Sequence, residues 1–391
     1  MHIFEVNDNK TQQEFIDVNV IIHKNIPNYI RPLDNDIQEI FNPISNKNYQ
    51  YGKLERWILK KDDGTLIGRI AAFTNSKYTN KGTEFATGGI GFFDCIDNQV
   101  AANLLFNTAK NWLQKEGMEA MDGPINFGDR DKYWGLMVEG FEKEPIFAMP
   151  FNPKYYEQLF ENYGFKNYYN QYWFSSSVDY DLPPRFQERF IKFKSKPDYS
   201  AKHVELNHLS KYAKDFATVY NAAWAQHGEA KSITIQEVEK LFKTMKPIMD
   251  ERVIWFAYYK EEPIAMFINV PDVNQYFKHF NGKLGIVEKL RLLWMKYTLK
   301  RKKLTGLAFG VVPKYQSLGI DSFLIQSCGY FMQNKNWYDS YEMGWAGDWN
   351  PRMHNIYKSL GGTQSRRMVT YRYIFDEQKN NFERHPIMDY K

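Results

Sequence analysis

One stretch in the second half of the chain carries residue types whose order could do chemistry: Gly310-Val-Val-Pro-Lys-Tyr-Gln-Ser-Leu-Gly-Ile-Asp321, running into SFLIQSCGYFM. The pattern reads as a strand end, a short polar loop containing glycine, and the opening of a helix. Such a loop can turn several backbone N–H groups toward one point. The helix behind it adds its unpaired first-turn amides and the positive end of its dipole. Together these make a site for an anion such as a pyrophosphate. A second stretch, Asp122-Gly-Pro-Ile-Asn126-Phe-Gly-Asp129-Arg-Asp-Lys-Tyr133-Trp134-Gly-Leu136, mixes charges with aromatics after a strand end. Loops in that position commonly carry binding groups. Asn126, Asp129, Tyr133 and Trp134 are therefore candidates to line a substrate pocket, the plain alternative being a solvated connector.

The elements that must position these residues come in a repeated order. Residues 55–72 read as two strands around an Asp-Asp-Gly turn, and 252–270 as two strands around Lys-Glu-Glu-Pro. Each hairpin leads to a strand (86–96 and 304–312), a helix (98–116 and 319–335) and a further strand (118–126 and 338–346). Asn152-Pro153 and Asn350-Pro351, 198 residues apart, then each open a helix that stops at glycine and passes into an aromatic strand. The predicted fold is a mixed α/β domain built twice, over residues 1–185 and 200–380. Pro183, Pro184 and Pro197 interrupt the periodicity at the join.

A chain of 391 residues with 43% apolar and 17% aromatic content can bury a large core, which excludes disorder. Its 51 cations against 46 acids leave +5, a balance that does not mark a nucleic-acid binder. Two cysteines, Cys95 and Cys328, exclude a disulfide framework and point to a reducing compartment. Neither they nor the eight histidines show metal-ligand spacing, so no metal is expected. No apolar run reaches the roughly 18 residues of a membrane span. The opening MHIFEVNDNKTQQEF is acidic and polar, unlike a secretory leader, so a cytoplasmic protein is expected.

The positive charge is concentrated. Residues 283–303, in an insertion at 273–303, hold eight cations and one acid, Glu288, so the rest of the chain is slightly acidic. Ile286, Leu290, Leu293 and Tyr297 fall on one helical face, and Lys289, Lys296, Lys300 and Lys303 on another. A basic amphipathic helix of this kind can lie in the interface of an anionic membrane, giving peripheral contact at its inner face. The alternative packs its apolar face on the protein and leaves the lysines solvated.

The Gly310–Asp321 stretch resembles the acyl-CoA signature of the GCN5-related N-acetyltransferases (the GNAT family), Val-x-Pro-x-x-Gln/Arg-x-x-Gly-x-Gly/Ala. Val311, Pro313, Gln316 and Gly319 match, while Asp321 stands where the family prefers a small residue. Asn350-Pro-Arg-Met-His-Asn-Ile-Tyr357-Lys-Ser-Leu-Gly361 is similar to that family's Asn-x-x-Ala-x-x-Leu-Tyr-x-x-Leu-Gly helix. The resemblance implies two tandem GNAT domains, the first degenerate. Its loop FDCIDNQVAANLL lacks Gln-x-x-Gly, and Leu159 stands where Tyr357 would.

The resemblance also implies acyl-CoA as co-substrate. Val311 and Val312 would lie along the pantetheine, Gln316, Ser317, Leu318, Gly319 and Ile320 around the pyrophosphate, with Asn350 nearby. Tyr357 would protonate the departing thiolate and Glu342 would take the proton of the attacking amine, in a direct transfer within a ternary complex. The duplication is similar to that of the Fem peptidyltransferases and N-myristoyltransferase. The kept pyrophosphate loop points to CoA or an acyl-carrier protein and away from aminoacyl-tRNA. Gly-Pro…Trp-Gly-Leu…Glu-Gly-Phe…Pro and the basic insertion further resemble the branch that includes bacterial-type ceramide synthases, which implies a long-chain, sphingoid-like amine as acceptor. A duplicated GNAT fold that binds a metabolite without turnover is the alternative. His227, alone in its loop, is a weaker candidate for substrate contact.

Overall fold

Short runs of β-branched and aromatic residues, broken by glycine and polar turns, give strands in both halves. The computed structural model describes residues 1–78, 85–224, 232–299, 302–333 and 335–384. The first half runs β1 (His2–Glu5), α1 (Asn9–His23), α2 (Asp34–Ile40), β2 (Leu54–Lys60), β3 (Leu66–Phe73), β4 (Thr87–Cys95), α3 (Gln99–Lys115), β5 (Ala120–Gly123), β6 (Leu136–Glu139), α4 (Tyr156–Tyr163) and β7 (Lys166–Ser177). A connecting helix, α5 (Pro184–Lys194), leads to β8 (Tyr199–His203), α6 (Leu209–Trp224), α7 (Ile235–Met245), β9 (Ile254–Tyr259) and β10 (Glu262–Pro271). The insertion then supplies α8 (Asn274–Phe277) and α9 (Ile286–Thr298). It is followed by β11 (Lys303–Val311), α10 (Ile320–Met332), β12 (Ser340–Gly347), α11 (Pro351–Ser359) and β13 (Thr363–Ile374).

Local chemistry accounts for the boundaries. The β9–β10 turn places Lys260 (φ +47°) and Glu261 (φ +66°) in the left-handed region, as a type I′ turn requires. In α3, Ala101, Leu105, Ala109 and Leu113 recur every four residues and bury one stripe together with Ala102 and Phe106. Asn98 caps that helix, its side chain accepting from Ala101 N–H at 2.9 Å. Asn350 caps α11 in the same way on Met353 N–H, at 3.1 Å, which is the role the structure gives this residue.

The element order expected for each half is present, but the two halves are not separate sheets. Among the described residues, the strands form one sheet in the order β1-β2-β3-β4-β5-β13-β7-β12-β11-β10-β9-β8, with β6 also on β13. The last strand of each half has crossed over. β7 pairs with β12 of the second half, and β13 pairs with β5 of the first. The two exchanged strands meet antiparallel at the centre over Thr363–Arg372 and Lys166–Ser175. The expected join near 181–200 is α5 and a turn, leading into β8 at the far edge of the sheet.

Two buried ion pairs fix the exchanged β13 to both halves. Arg372 grips Asp122 of β5 with two bonds of 2.7 Å. Arg366 donates to Glu342 of β12 at 2.9 Å. Asp122 and Glu342 occupy matching places, each the last paired residue of a short parallel ladder. Removing one member of a buried pair leaves the other charge without compensation, at about 3–5 kcal/mol. Arg372→Met should therefore lower stability by that amount, read as a drop in the urea midpoint. Arg372→Met with Asp122→Leu should recover part of it.

Candidate functional site

The site begins where two strands stop pairing. β11 and β12 run parallel and share a ladder only at Lys303–Thr305 and Ser340–Glu342, beyond which they part. β11 keeps its other neighbour, β10. Val312 N–H donates to Ile264 carbonyl at 2.9 Å. Antiparallel pairing alternates, so Val311 and Phe309 turn their backbone groups away from β10 into the gap. The Gln316 side chain donates to Val311 carbonyl at 3.0 Å, which leaves the Val311 N–H facing the opening. Val312, expected to meet a cofactor through its backbone, has both groups occupied, its carbonyl by Tyr315 N–H at 2.8 Å.

The loop then turns into α10. Ser317 (φ +60°) and Gly319 (φ +93°) are left-handed, and Gly319 is the N-cap of α10 without any side-chain cap. The first-turn amides are therefore not taken by a capping side chain of the loop. Leu318 is exposed, Ile320 is buried in the core, and Asp321 sits in the first turn, where an acid complements the dipole. Arg189 of α5 lies across this corner: a Cβ on Gly319 would come within 2.6 Å of its Cδ. Phe190 and Phe193 hold α5 on α10, with ring centres 6.1 and 5.6 Å from Phe323. Nothing in the sequence marks Arg189, since residues 181–200 show only interrupted periodicity and its place depends on what α5 packs against.

The first half shows what the same corner looks like when closed. β4 and β5 also pair over three residues, Thr87–Gly89 against Ala120–Asp122. Here the chain itself fills the gap: Ile125 N–H donates to Ile90 carbonyl at 2.7 Å, and a Cβ on Gly91 would collide with Ile125. The following helix is capped by Asn98. Both features that leave the second corner open are absent.

Small residues floor the open gap. A Cβ on Gly344 would lie 3.6 Å from the Tyr357 hydroxyl, and one on Gly306 would lie 2.7 Å from that of Tyr341. Tyr357, on α11, is buried, and burial pushes its pKa well above the tyrosine range. Its hydroxyl thus keeps its proton at neutral pH, the state a donor needs. Tyr341 is raised for the same reason. It also lines a cavity of about 90 Å³ under α10 with Phe267, Leu304, Ile325, Cys328 and Met332. Burial pushes the Cys328 thiol up to about 12, so it behaves as an apolar lining group.

Successive strand residues point to opposite faces, so Glu342 stands across the sheet from Tyr341. One of its oxygens, Oε2, accepts from Arg366 (2.9 Å) and Ser365 (3.1 Å). No hydrogen bond reaches Oε1 among the described residues.

The candidate loop of the first half reaches the second. Trp345 Nε1 on β12 donates to Asp131 at 3.2 Å, and the Arg130 guanidinium lies 5.8 Å from the Trp349 ring. Trp134 is buried and donates to the Tyr169 hydroxyl at 2.7 Å. Asn126 is buried with its Oδ1 unpartnered, Tyr133 is left-handed (φ +47°) beside Phe92, and Asp129 is exposed. His227 lies outside the described residues.

No family model matches the chain. It is 24% identical over 363 residues to a bacterial ceramide synthase of Caulobacter vibrioides, covering 92% of this chain and 94% of that protein. It is 24% identical over 358 residues to protein YghO of Escherichia coli, covering 88% of each. A tandem GNAT protein from the clavulanic acid biosynthesis pathway superposes with a TM-score of 0.54 at 11% identity, over 95% of this chain and 98% of that one.

The contrast between the two corners can be tested directly. Gly319→Ala should weaken binding of inorganic pyrophosphate, the probe for this corner, at least about tenfold, since a Cβ there is strained by about 1–2 kcal/mol and displaces Arg189. Asn98→Ala, at the matching helix start, should cost about 1 kcal/mol of stability and leave that binding unchanged. Isothermal titration and thermal melts read the two effects.

Proposed function

We propose that this protein, built on the tandem GNAT fold and similar along nearly its whole length to a bacterial ceramide synthase, is an N-acyltransferase that takes its acyl group from acyl-CoA. The observation that carries the proposal is the open corner between β11 and α10. The loop turns left-handed at Ser317 and Gly319, no capping side chain takes the first-turn amides of α10, and Arg189 adds a cation. A pyrophosphate is the natural occupant.

In this reading Gln316, Ser317, Leu318, Gly319 and Ile320 surround the pyrophosphate. The Val311 N–H and the Phe309 backbone bind the pantetheine as a strand edge would. The thioester then lies near Gly306 and Gly344. The acyl chain enters the cavity past Tyr341, which suits an aliphatic group. The acceptor amine approaches from the other face. Glu342 Oε1 takes its proton, directly or through a water, while Arg366 and Ser365 hold the carboxylate in place. The amine nitrogen bonds to the thioester carbon, the carbon–sulfur bond breaks, and Tyr357 protonates the thiolate. Asn126, Tyr133 and Trp134, with Asp129 at the rim, line the acceptor pocket. The ceramide synthase similarity supports a long-chain amine as acceptor.

Tyr357→Phe should lower kcat by about 10²–10⁴-fold while leaving coenzyme A affinity unchanged. Because its pKa is raised, ionisation of Tyr357 should cause no loss of rate up to about pH 10 in the native enzyme. Thiol release from palmitoyl-CoA in the presence of a sphingoid base measures both. Absence of coenzyme A binding would remove the proposal.

A further inference from the structure

Helix α9 turns its apolar face to solvent. Of the large apolar side chains on it, Ile286 is 80% exposed, Val287 71%, Leu290 64%, Trp294 65%, Tyr297 81% and Leu293 47%. At 100° per residue these six span an arc of about 120°. The residues that attach the helix to the protein are different ones. Leu292 and Met295 face the other way and pack on Val273, Tyr276 and Phe280 of the same insertion and on Leu33 of the first half. The packed and exposed apolar stripes are thus distinct, and the exposed one has no covering element among the described residues. A contiguous exposed patch of this size marks an interaction surface.

Its border says what it meets. Arg291 flanks the arc on one side, and Lys289 and Lys296 flank it on the other. Lys283 and Lys289 are exposed. Lys296 is the tethered one, its ammonium on the carbonyls of Pro247 and Met249 at 2.9 and 3.1 Å. The acid of this helix, Glu288, is turned back onto Gly285 N–H at 2.9 Å. A second copy docked on this face about a two-fold axis would bring cations against cations with no acid to meet them. An anionic lipid surface satisfies both features: acyl chains cover the apolar arc, Trp294 and Tyr297 sit at headgroup level, and phosphates meet the lysines.

We infer that α9 is an in-plane membrane anchor that seats the protein on anionic bilayers. Thirteen residues make a helix about 20 Å long, too short to span and suited to lying flat. The anchor also fixes an orientation. α9 leads into β11 at Lys303, beside the closed end of the gap, and the anion loop follows the other end of β11 at Val311. Nine strand residues separate them by about 25–30 Å. The closed end of the gap and the nearby aliphatic cavity therefore lie toward lipid, and the nucleotide corner toward water. The anchor itself rests on exposure and charge and is independent of the acyl-transfer reading.

The test is cosedimentation of the full chain, without substrate, with vesicles of phosphatidylcholine alone and with about a quarter phosphatidylglycerol. The anionic vesicles should bind at least about tenfold more protein, and Leu290→Glu with Trp294→Glu should abolish that binding at an unchanged melting temperature. Lys283→Glu with Lys289→Glu should remove the preference for phosphatidylglycerol. Failure of the native chain to bind either vesicle overturns the inference, as does equal binding by the Leu290/Trp294 variant. A native dimer that this variant dissociates, seen by analytical ultracentrifugation, also overturns it.

Discussion

A backbone donor removed from water must find a partner, and the site follows from how each half meets that demand. Parallel strands that separate leave one edge of each unpaired along the divergence. In the first half the chain solves this internally, Ile125 bonding to Ile90 across the opening. In the second half no such bond crosses among the described residues, and the Val311 N–H and the Phe309 backbone are turned into the wedge. The two corners share their strand and helix scaffold, and they differ in whether the chain itself closes the opening.

The floor and the walls of the wedge follow from the same geometry. Glycine at 306 and 344 lets two tyrosine hydroxyls approach the strands closely. Pleating sends Tyr341 and Glu342 to opposite faces, so an aliphatic cavity lies on one side of the sheet beside the paired end of the wedge and a carboxylate on the other. β13 ties this arrangement to the first half, since one of its arginines holds Glu342 and another holds Asp122. The carboxylate is oriented by a strand that is itself anchored in the other half of the molecule.

Much of the local structure was legible in the residues. Glycine, proline and asparagine marked turns and helix starts, and the Gln316-x-x-Gly319 loop stood out by its glycine-bearing polar pattern between strand and helix and by its resemblance to the acyl-CoA signature. The crossing of β7 and β13 was not legible, because strand partners far apart in sequence leave no local periodicity. Arg189 was missed for the same reason: its importance lies in what α5 packs against. The periodicity of residues 286–297 showed an apolar face but could not say which way it points. Leu292 and Met295, a second apolar pair on the same helix, decide that, and only packing reveals it. Val312 shows the converse, a residue in the right motif whose backbone is already bonded.

The crossed strands bear on how the chain reaches its native form. Pairing across the centre joins residues almost two hundred positions apart, so the middle of the sheet forms only after nearly all of the polypeptide is available. Until then the first half carries a bare edge at β5, and a nascent chain stalled before β13 would offer that edge to its neighbours. Synthesis from the N-terminus therefore builds an acceptor first and supplies its missing strand last.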